Sequence, residues 1–130
     1  MMDELIGRVT AAAGIDAGVA QQAVGQILAF LKKEGPEGPV TEVFSKIPGA
    51  DEAADAAAGT GSGGGLMGGL SSMMGGGGLM GLAGKLTGLG LGMGEMQTVG
   101  KEVFSYAREK AGEDAVGQIA GSIPGLSQFM

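Results

Sequence analysis

The side chains with the greatest chemical potential in this sequence are carboxylates, which form two small clusters. Asp51, Glu52 and Asp55 lie close together in the middle of the chain, and Glu113 and Asp114 are adjacent near its end. Neither cluster has the alternating ligand spacing of a calcium-binding loop. Acidic residues in the first turn of a helix complement the helix dipole. We therefore expect both clusters to mark helix starts rather than metal sites.

The composition removes most of the other side chains that enzymes use. The 130 residues include no histidine and no cysteine, so the commonest general base and the thiolate nucleophile are both excluded. Ser62 lies between two glycines but lacks the flanking spacing of the G-x-S-x-G nucleophile motif. No acid lies within a predicted apolar helix face, where burial would raise its pKa into a useful range. The sequence thus predicts a protein that is not an enzyme and binds no metal or cofactor.

Two glycine patterns resemble phosphate-binding loops but lack the required context. Residues 59–64 and 63–68 match G-x-G-x-x-G, a pattern that binds dinucleotides between a strand and a helix. Here an alanine-rich helix is predicted before the pattern, and more glycine follows it. Leu86, after Gly84 and Lys85, replaces the serine or threonine of a P-loop.

The formal net charge of −6 argues against nucleic acid as a partner, because nucleic-acid binding requires clustered basic residues. No small-molecule substrate is indicated.

Apolar residues recur at helical spacing along most of the chain, which predicts an all-α fold. The clearest stripe consists of Ala20, Ala23, Val24, Ile27, Leu28 and Leu31. A helix is expected before it over residues 3–13, stopped by Gly14, with Asp16 as the N-cap of the next helix. Residues 36–39 contain two prolines and are expected to form a loop. Short helices are then predicted around Val40–Ile47 and, more weakly, over 50–58.

The same helical pattern occurs twice. Gly14–Gly49 aligns without a gap with Gly90–Gly125, and each segment ends in Ile-Pro-Gly at the same distance from a matching apolar stripe. This alignment predicts two tandem copies of a three-helix unit, over residues 1–58 and 79–130. A Gly/Met/Leu-rich insert at 59–78 would separate them. Because a unit this small buries little apolar surface alone, we expect the copies to pack together as one small helical bundle.

Several of these segments resemble a known group of proteins. Gly81–Leu91 reads Gly-Leu-Ala-Gly-Lys-Leu-Thr-Gly-Leu-Gly-Leu and precedes a helix that contains Val103-Phe104-Ser105-Tyr106. The first copy ends in Ile47-Pro48-Gly49-Ala50-Asp51. In these segments the chain resembles the VcgC/VcgE-like group, a small bacterial family of unknown function. The resemblance covers most of the chain and implies a helical fold, but it implies no activity, cofactor or functional residue.

The insert is the feature that most needs a functional explanation. Residues 59–78 include eleven glycines and no charged residue. Their large apolar side chains belong to Leu66, Met67, Leu70, Met73 and Met74. A flexible linker is one interpretation, but linkers are usually Gly/Ser-rich and polar. Exposed apolar side chains mark interaction sites, and methionine suits adaptable contacts. We therefore predict an interaction or self-assembly module that binds protein, with a second copy of the chain as the expected partner.

Membrane or lipid association through the same segment is the alternative prediction. Leu66–Gly84 contains nineteen residues without a charge, which is long enough to span a bilayer. Glycine and serine make up much of this length, so the hydrophobic drive for insertion is poor. The N-terminus begins with acids and lacks the basic and apolar regions of a secretory signal. A cytoplasmic location is therefore expected.

Two aromatic residues share one position in the aligned copies. Phe30 and Tyr106 each lie one step beside the main apolar stripe of their helix. One interpretation is that they widen the buried face. The other is that they form a paired contact surface for a partner, so we include both among the candidate interaction residues.

Overall fold

The computed structural model describes residues 2–61, 78–123 and 126. Seven helices occur in these residues, with no strand among them. In chain order they are α1 (Met2–Ala13), α2 (Ala17–Glu34), α3 (Glu37–Lys46), α4 (Ala50–Gly61), α5 (Gly78–Gly88), α6 (Met93–Ala111) and α7 (Glu113–Ser122). The predicted all-α class is therefore confirmed for the described part of the chain.

The junction between α1 and α2 follows the sequence signals. Gly14 has a φ of +69°, a conformation that favours glycine, and its N–H donates to the carbonyl of Thr10 at 2.9 Å. Asp16 takes the predicted N-cap position of α2 with extended backbone, although its side chain forms no capping hydrogen bond. Glycine thus ends α1 where we expected it to, whereas the aspartate marks the start of α2 by position alone.

The predicted loop at residues 36–39 is wrong. Pro36 is the N-cap of α3, and the helix begins at Glu37, so Pro39 lies within its first turn. Proline is tolerated there because the first N–H groups of a helix have no intrahelical acceptor. The connection from α2 is consequently very short. A Cβ atom on Gly35 would lie 2.6 Å from the carbonyl oxygen of Leu31 and 2.6 Å from Cγ2 of Val40, so glycine allows this close approach.

The helices at the edges of the predicted insert extend further than expected. Helix α4 continues to Gly61, beyond the predicted end at residue 58, and α5 begins at Gly78. Each glycine costs about 1 kcal/mol relative to alanine in a helix, but extending an existing helix is easier than nucleating one. The remainder of the predicted insert, residues 62–77, lies outside the described residues.

One apolar core includes side chains from all seven helices. Leu28 of α2 and Phe104 of α6 belong to the same buried cluster as Leu5 of α1, Leu86 of α5 and Ile119 of α7. No polar or charged residue is buried among those described. The two long helices therefore share one interior.

Helices that precede residues 62–77 pack on helices that follow them. Helix α1 packs mainly on α6, and α5 packs on α2. Helix α3 contacts α7, the two long helices α2 and α6 contact each other, and α4 lies along α2. Helix α1, which precedes residues 62–77, thus packs mainly on the long helix that follows them, and α5, which follows these residues, packs on the long helix that precedes them.

Candidate interaction site

The five apolar residues predicted to contact a partner lie outside the described part of the chain. They are Leu66, Met67, Leu70, Met73 and Met74, all within residues 62–77. The structure does describe the helices at both ends of this segment. Helices α4 and α5 both pack on α2, so the segment is attached at each end to the same long helix.

The two aromatic candidates belong to the core. Phe30 in α2 is 8% exposed, and Tyr106 in α6 is fully buried. These positions match the interpretation in which the aromatic rings widen the buried faces of the long helices. Within this chain neither ring offers appreciable area to a partner.

Tyr106 lies beneath two cationic side chains. The guanidinium carbon of Arg8, in α1, is 5.6 Å from the ring centroid, and Nζ of Lys110, in α6, is 5.4 Å from it. Both distances are within the range in which a cation is attracted to an aromatic ring. The buried ring therefore attracts one cation from its own helix and one from α1.

Arg8 also pairs with two carboxylates on α6. Its Nη1 donates to Oε2 of Glu109 at 2.6 Å, and its Nη2 lies 3.7 Å from Oε2 of Glu102. The hydrogen bond to Glu109 is the largest cause of a raised Arg8 pKa, and the charges of both glutamates and of Glu4 contribute. We call Arg8, Glu102, Tyr106, Glu109 and Lys110 the Arg8 cluster. It joins α1 to α6.

Burial raises the pKa of Tyr106 above its ordinary value of 10.0. Desolvation is the largest cause, because it disfavours the charged phenolate. The negative charges of Glu4 and Glu109 act in the same direction, whereas Arg8 lowers the pKa. The phenol is therefore protonated at neutral pH and serves as a structural group.

A second ion-pair cluster joins α2 to α4. Nζ of Lys32 donates to Oδ1 of Asp51 at 3.0 Å and to Oδ1 of Asp55 at 3.2 Å, which raises the pKa of Lys32, with Asp51 the larger cause. These side chains are largely exposed, so the pairs are worth little individually. A small surface cavity of about 140 Å³ lies beside them. It is lined by Lys32, Val40, Thr41, Phe44, Ser45 and Asp51.

Four of the five acids singled out in the sequence lie at helix starts, as expected, whereas Asp55 lies in the second turn of α4. Asp51 and Glu52 are in the first turn of α4, and Glu113 and Asp114 are in the first turn of α7. Across residues 2–61, 78–123 and 126, the structure contains no group of three or more acidic side chains that could hold a metal ion.

Sequence reasoning missed the Arg8 cluster because its members are distant along the chain. Arg8 and Glu109 are separated by 101 positions. The local signal was the spacing of Glu102, Tyr106 and Glu109, which places the three on one face of a helix. That spacing indicates an aromatic ring between two acids, but it does not say which basic residue pairs with them.

No protein family, curated protein or solved structure matches this chain.

Within the described residues, no helix combines the length and the apolar character needed to cross a bilayer.

Proposed function

We propose that this protein is a non-enzymatic helical module for self-assembly, in which the apolar residues of the 62–77 segment contact a second copy of the chain. The observation that carries the proposal is the attachment of this segment. Its two flanking helices, α4 and α5, both pack on α2. An uncharged apolar segment is therefore anchored at both ends to one long helix of the bundle, from which it can present contacts to a partner.

The distribution of apolar side chains in the bundle supports this role. The described apolar residues form a shared core, and Met93 is the large apolar side chain that stands out at the described surface, at 68% exposed. Burial of apolar surface contributes roughly 25 cal/mol per Å². Five large apolar side chains in one uncharged segment would supply a driving force for association that a single exposed methionine would not.

We also propose that the bundle consists of two tandem copies of a three-helix unit. The first unit would contain the helices that begin at Met2, Ala17 and Glu37, and the second those that begin at Gly78, Met93 and Glu113. The three starts are offset by the same number of residues. This constant offset supports a duplication, and the VcgC/VcgE-like resemblance remains a proposal that concerns the fold alone.

The ends of the proposed units give further support. Ile47 is the C-cap of α3 with φ −112° and ψ 100°, and Ile123 is the C-cap of α7 with φ −108° and ψ 112°. The N–H of Ile47 donates to the carbonyl of Val43 at 3.1 Å, and that of Ile123 to Ile119 at 3.2 Å. Both isoleucines are buried. Equivalent residues thus end equivalent helices with nearly the same backbone geometry.

The self-assembly role can be tested by removing the apolar side chains of the segment. The variant replaces Leu66, Met67, Leu70, Met73 and Met74 with serine. We expect its mass by light scattering to fall to that of a single chain, because the association would lose its apolar contacts. Helical circular dichroism should be retained, since all the side chains of the described core are left unchanged. A control that changes only the three methionines to leucine should keep the wild-type mass.

An unchanged mass in the five-serine variant would contradict the proposal. Flotation with phosphatidylcholine vesicles then separates the remaining possibilities. If the wild-type chain floats with the vesicles and the five-serine variant does not, the segment binds lipid. In that case, the role would be membrane association rather than self-assembly.

A further inference from the structure

The contacts between the two halves of the chain could also form between two copies. We define the first half as residues 2–61 and the second half as residues 78–123. Helix α1 of the first half packs mainly on α6 of the second, and α5 of the second packs on α2 of the first. Helices α3 and α7, one from each half, also contact each other. The two halves are thus joined along several helices at once.

Each half contributes buried apolar side chains on a helix that packs on the other half. Leu5 and Val9 of α1 are both fully buried, on a helix that packs mainly on α6 of the second half. Leu82 and Leu86 of α5 are at most 5% exposed, on a helix that packs on α2 of the first half. Separation of the halves would expose these side chains to water, which is unfavourable in proportion to the apolar area exposed. A half that loses its partner half therefore retains a strong preference for an equivalent one.

The Arg8 cluster adds charge complementarity to this interface. Arg8 lies on the first half, and its partners Glu102 and Glu109 lie on the second. The second half of another copy carries the same two glutamates around the same tyrosine. Because each charge is stabilised by a charge of opposite sign, these ion pairs help to determine which surfaces of the two halves pack together and in which register.

We propose that two copies of this chain exchange halves, so that the first half of each packs on the second half of the other. The inference rests on the proposed self-assembly role, because it names a second copy of the chain as the partner. Residues 62–77 connect the halves, and a stretch of that length can span at most roughly 55 Å. This reach permits a half to pair within its own chain or with a neighbouring one. Exchanging identical elements is a low-cost route to a dimer, because the contacts are already complementary.

The experiment uses two full-length variants with opposite charge reversals, both made in the five-serine background. One carries Arg8→Glu, and the other carries Glu102→Arg with Glu109→Arg. Within either variant, or between two copies of it, the charges at this interface are alike and repel. In an exchanged pair of the two different variants, both interfaces are complementary. One has Glu at position 8 against two arginines, and the other has the native Arg8 against two glutamates.

We expect each variant alone to have the mass of a single chain and the mixture to show a twofold higher mass. The midpoint of thermal unfolding should be higher in the mixture than in either variant alone. A control pair reverses exposed charges that take no part in the ion pairs described above: Lys33→Glu in one chain, and Glu34→Arg with Glu42→Arg in the other. This control pair should show neither the mass increase nor the rise in midpoint on mixing.

The proposal is overturned if the mixture keeps the mass and the unfolding midpoint of its components. If either variant is unfolded alone, a gain of helical circular dichroism on mixing supports exchange, and no gain overturns it. The proposed role of the segment is judged separately, from the mass of the five-serine variant alone. Exchange can therefore fail while the segment still drives assembly, and the segment can fail while the mixed variants still pair.

Discussion

At the scale of single residues, Tyr106 gives the most direct test of the structure. It is the only tyrosine in the chain, and there is no tryptophan, so the ultraviolet absorbance of tyrosinate reports on this side chain alone. Because desolvation, aided by Glu4 and Glu109, raises its pKa, we expect the folded protein to ionise at a higher pH than the ordinary value of about 10. The chain unfolded in denaturant should titrate near the ordinary value.

The raised pKa of Tyr106 also determines how the contribution of this residue to the free energy of unfolding depends on pH. The folded state holds the phenolic proton more tightly than the unfolded state, so this contribution is fully present below the unfolded pKa of about 10. It is then lost as pH rises from that value through the raised folded pKa. Tyr106→Phe should remove the absorbance change and lessen the alkaline loss of stability. Ionisation of the folded protein near the ordinary value would show that the ring is not buried under Arg8 and Lys110.

The residues of this site were only partly predictable from sequence. The apolar stripe placed Tyr106 and Phe30 beside the buried face of their helices, and the structure buries both. The pairing of Arg8 with Glu109 depends on how α1 packs on α6, and this contact joins residues 101 positions apart. Local spacing carries no information about such a contact.

At the scale of the helices, the sequence predicted starts and stops best where a glycine or an acid marked them. Gly14 ends α1, and Asp16 precedes α2. The exception was the segment from Pro36 to Pro39, where proline was interpreted as a helix breaker although the first turn of a helix accepts it. Whether such a proline lies before a helix or within its first turn depends on the packing of α3, which a local pattern does not contain.

The short α2–α3 junction yields a prediction about two glycines. Gly35→Ala should lower the free energy of unfolding by roughly 1–3 kcal/mol, because the new Cβ would lie 2.6 Å from both Leu31 and Val40. Gly117→Ala is the matched control. It lies in α7 with nothing within 4 Å of the added Cβ, so better helix propensity should stabilise the chain by about 0.5–1 kcal/mol. Urea denaturation measures both, and equal effects would contradict the close approach.

At the scale of the whole molecule, the sequence predicted one bundle but not its pairing of helices. The apolar stripe of residues 20–31 and the matching stripe of the second copy indicated that the long helices needed a shared core, and α2 and α6 do contribute to one. That α1 would pack mainly on α6, and α5 on α2, was not predictable. Several arrangements of the same stripes bury similar apolar area, and the choice among them depends on side-chain fit.

Because helices of each half pack on helices of the other, truncating a core side chain in either half should destabilise the whole bundle. Leu5→Ala in α1 and Leu86→Ala in α5 each remove a side chain that is at most 1% exposed. Each should cost roughly 2–5 kcal/mol, out of a total stability of about 5–15 kcal/mol. Because both side chains belong to one core, thermal unfolding at fixed protein concentration should remain a single transition with a lower midpoint.

Met93→Ala serves as the control for these core truncations. It removes a similar apolar side chain that is 68% exposed, so the midpoint should move little, within about 0.5 kcal/mol of unfolding free energy. The contrary outcome is two separate transitions, one shifted by Leu5→Ala and the other by Leu86→Ala. Independent transitions would mean that each half encloses its own core. The exchange of halves between copies would then lose its physical basis, because a separated half would expose nothing that another copy could cover.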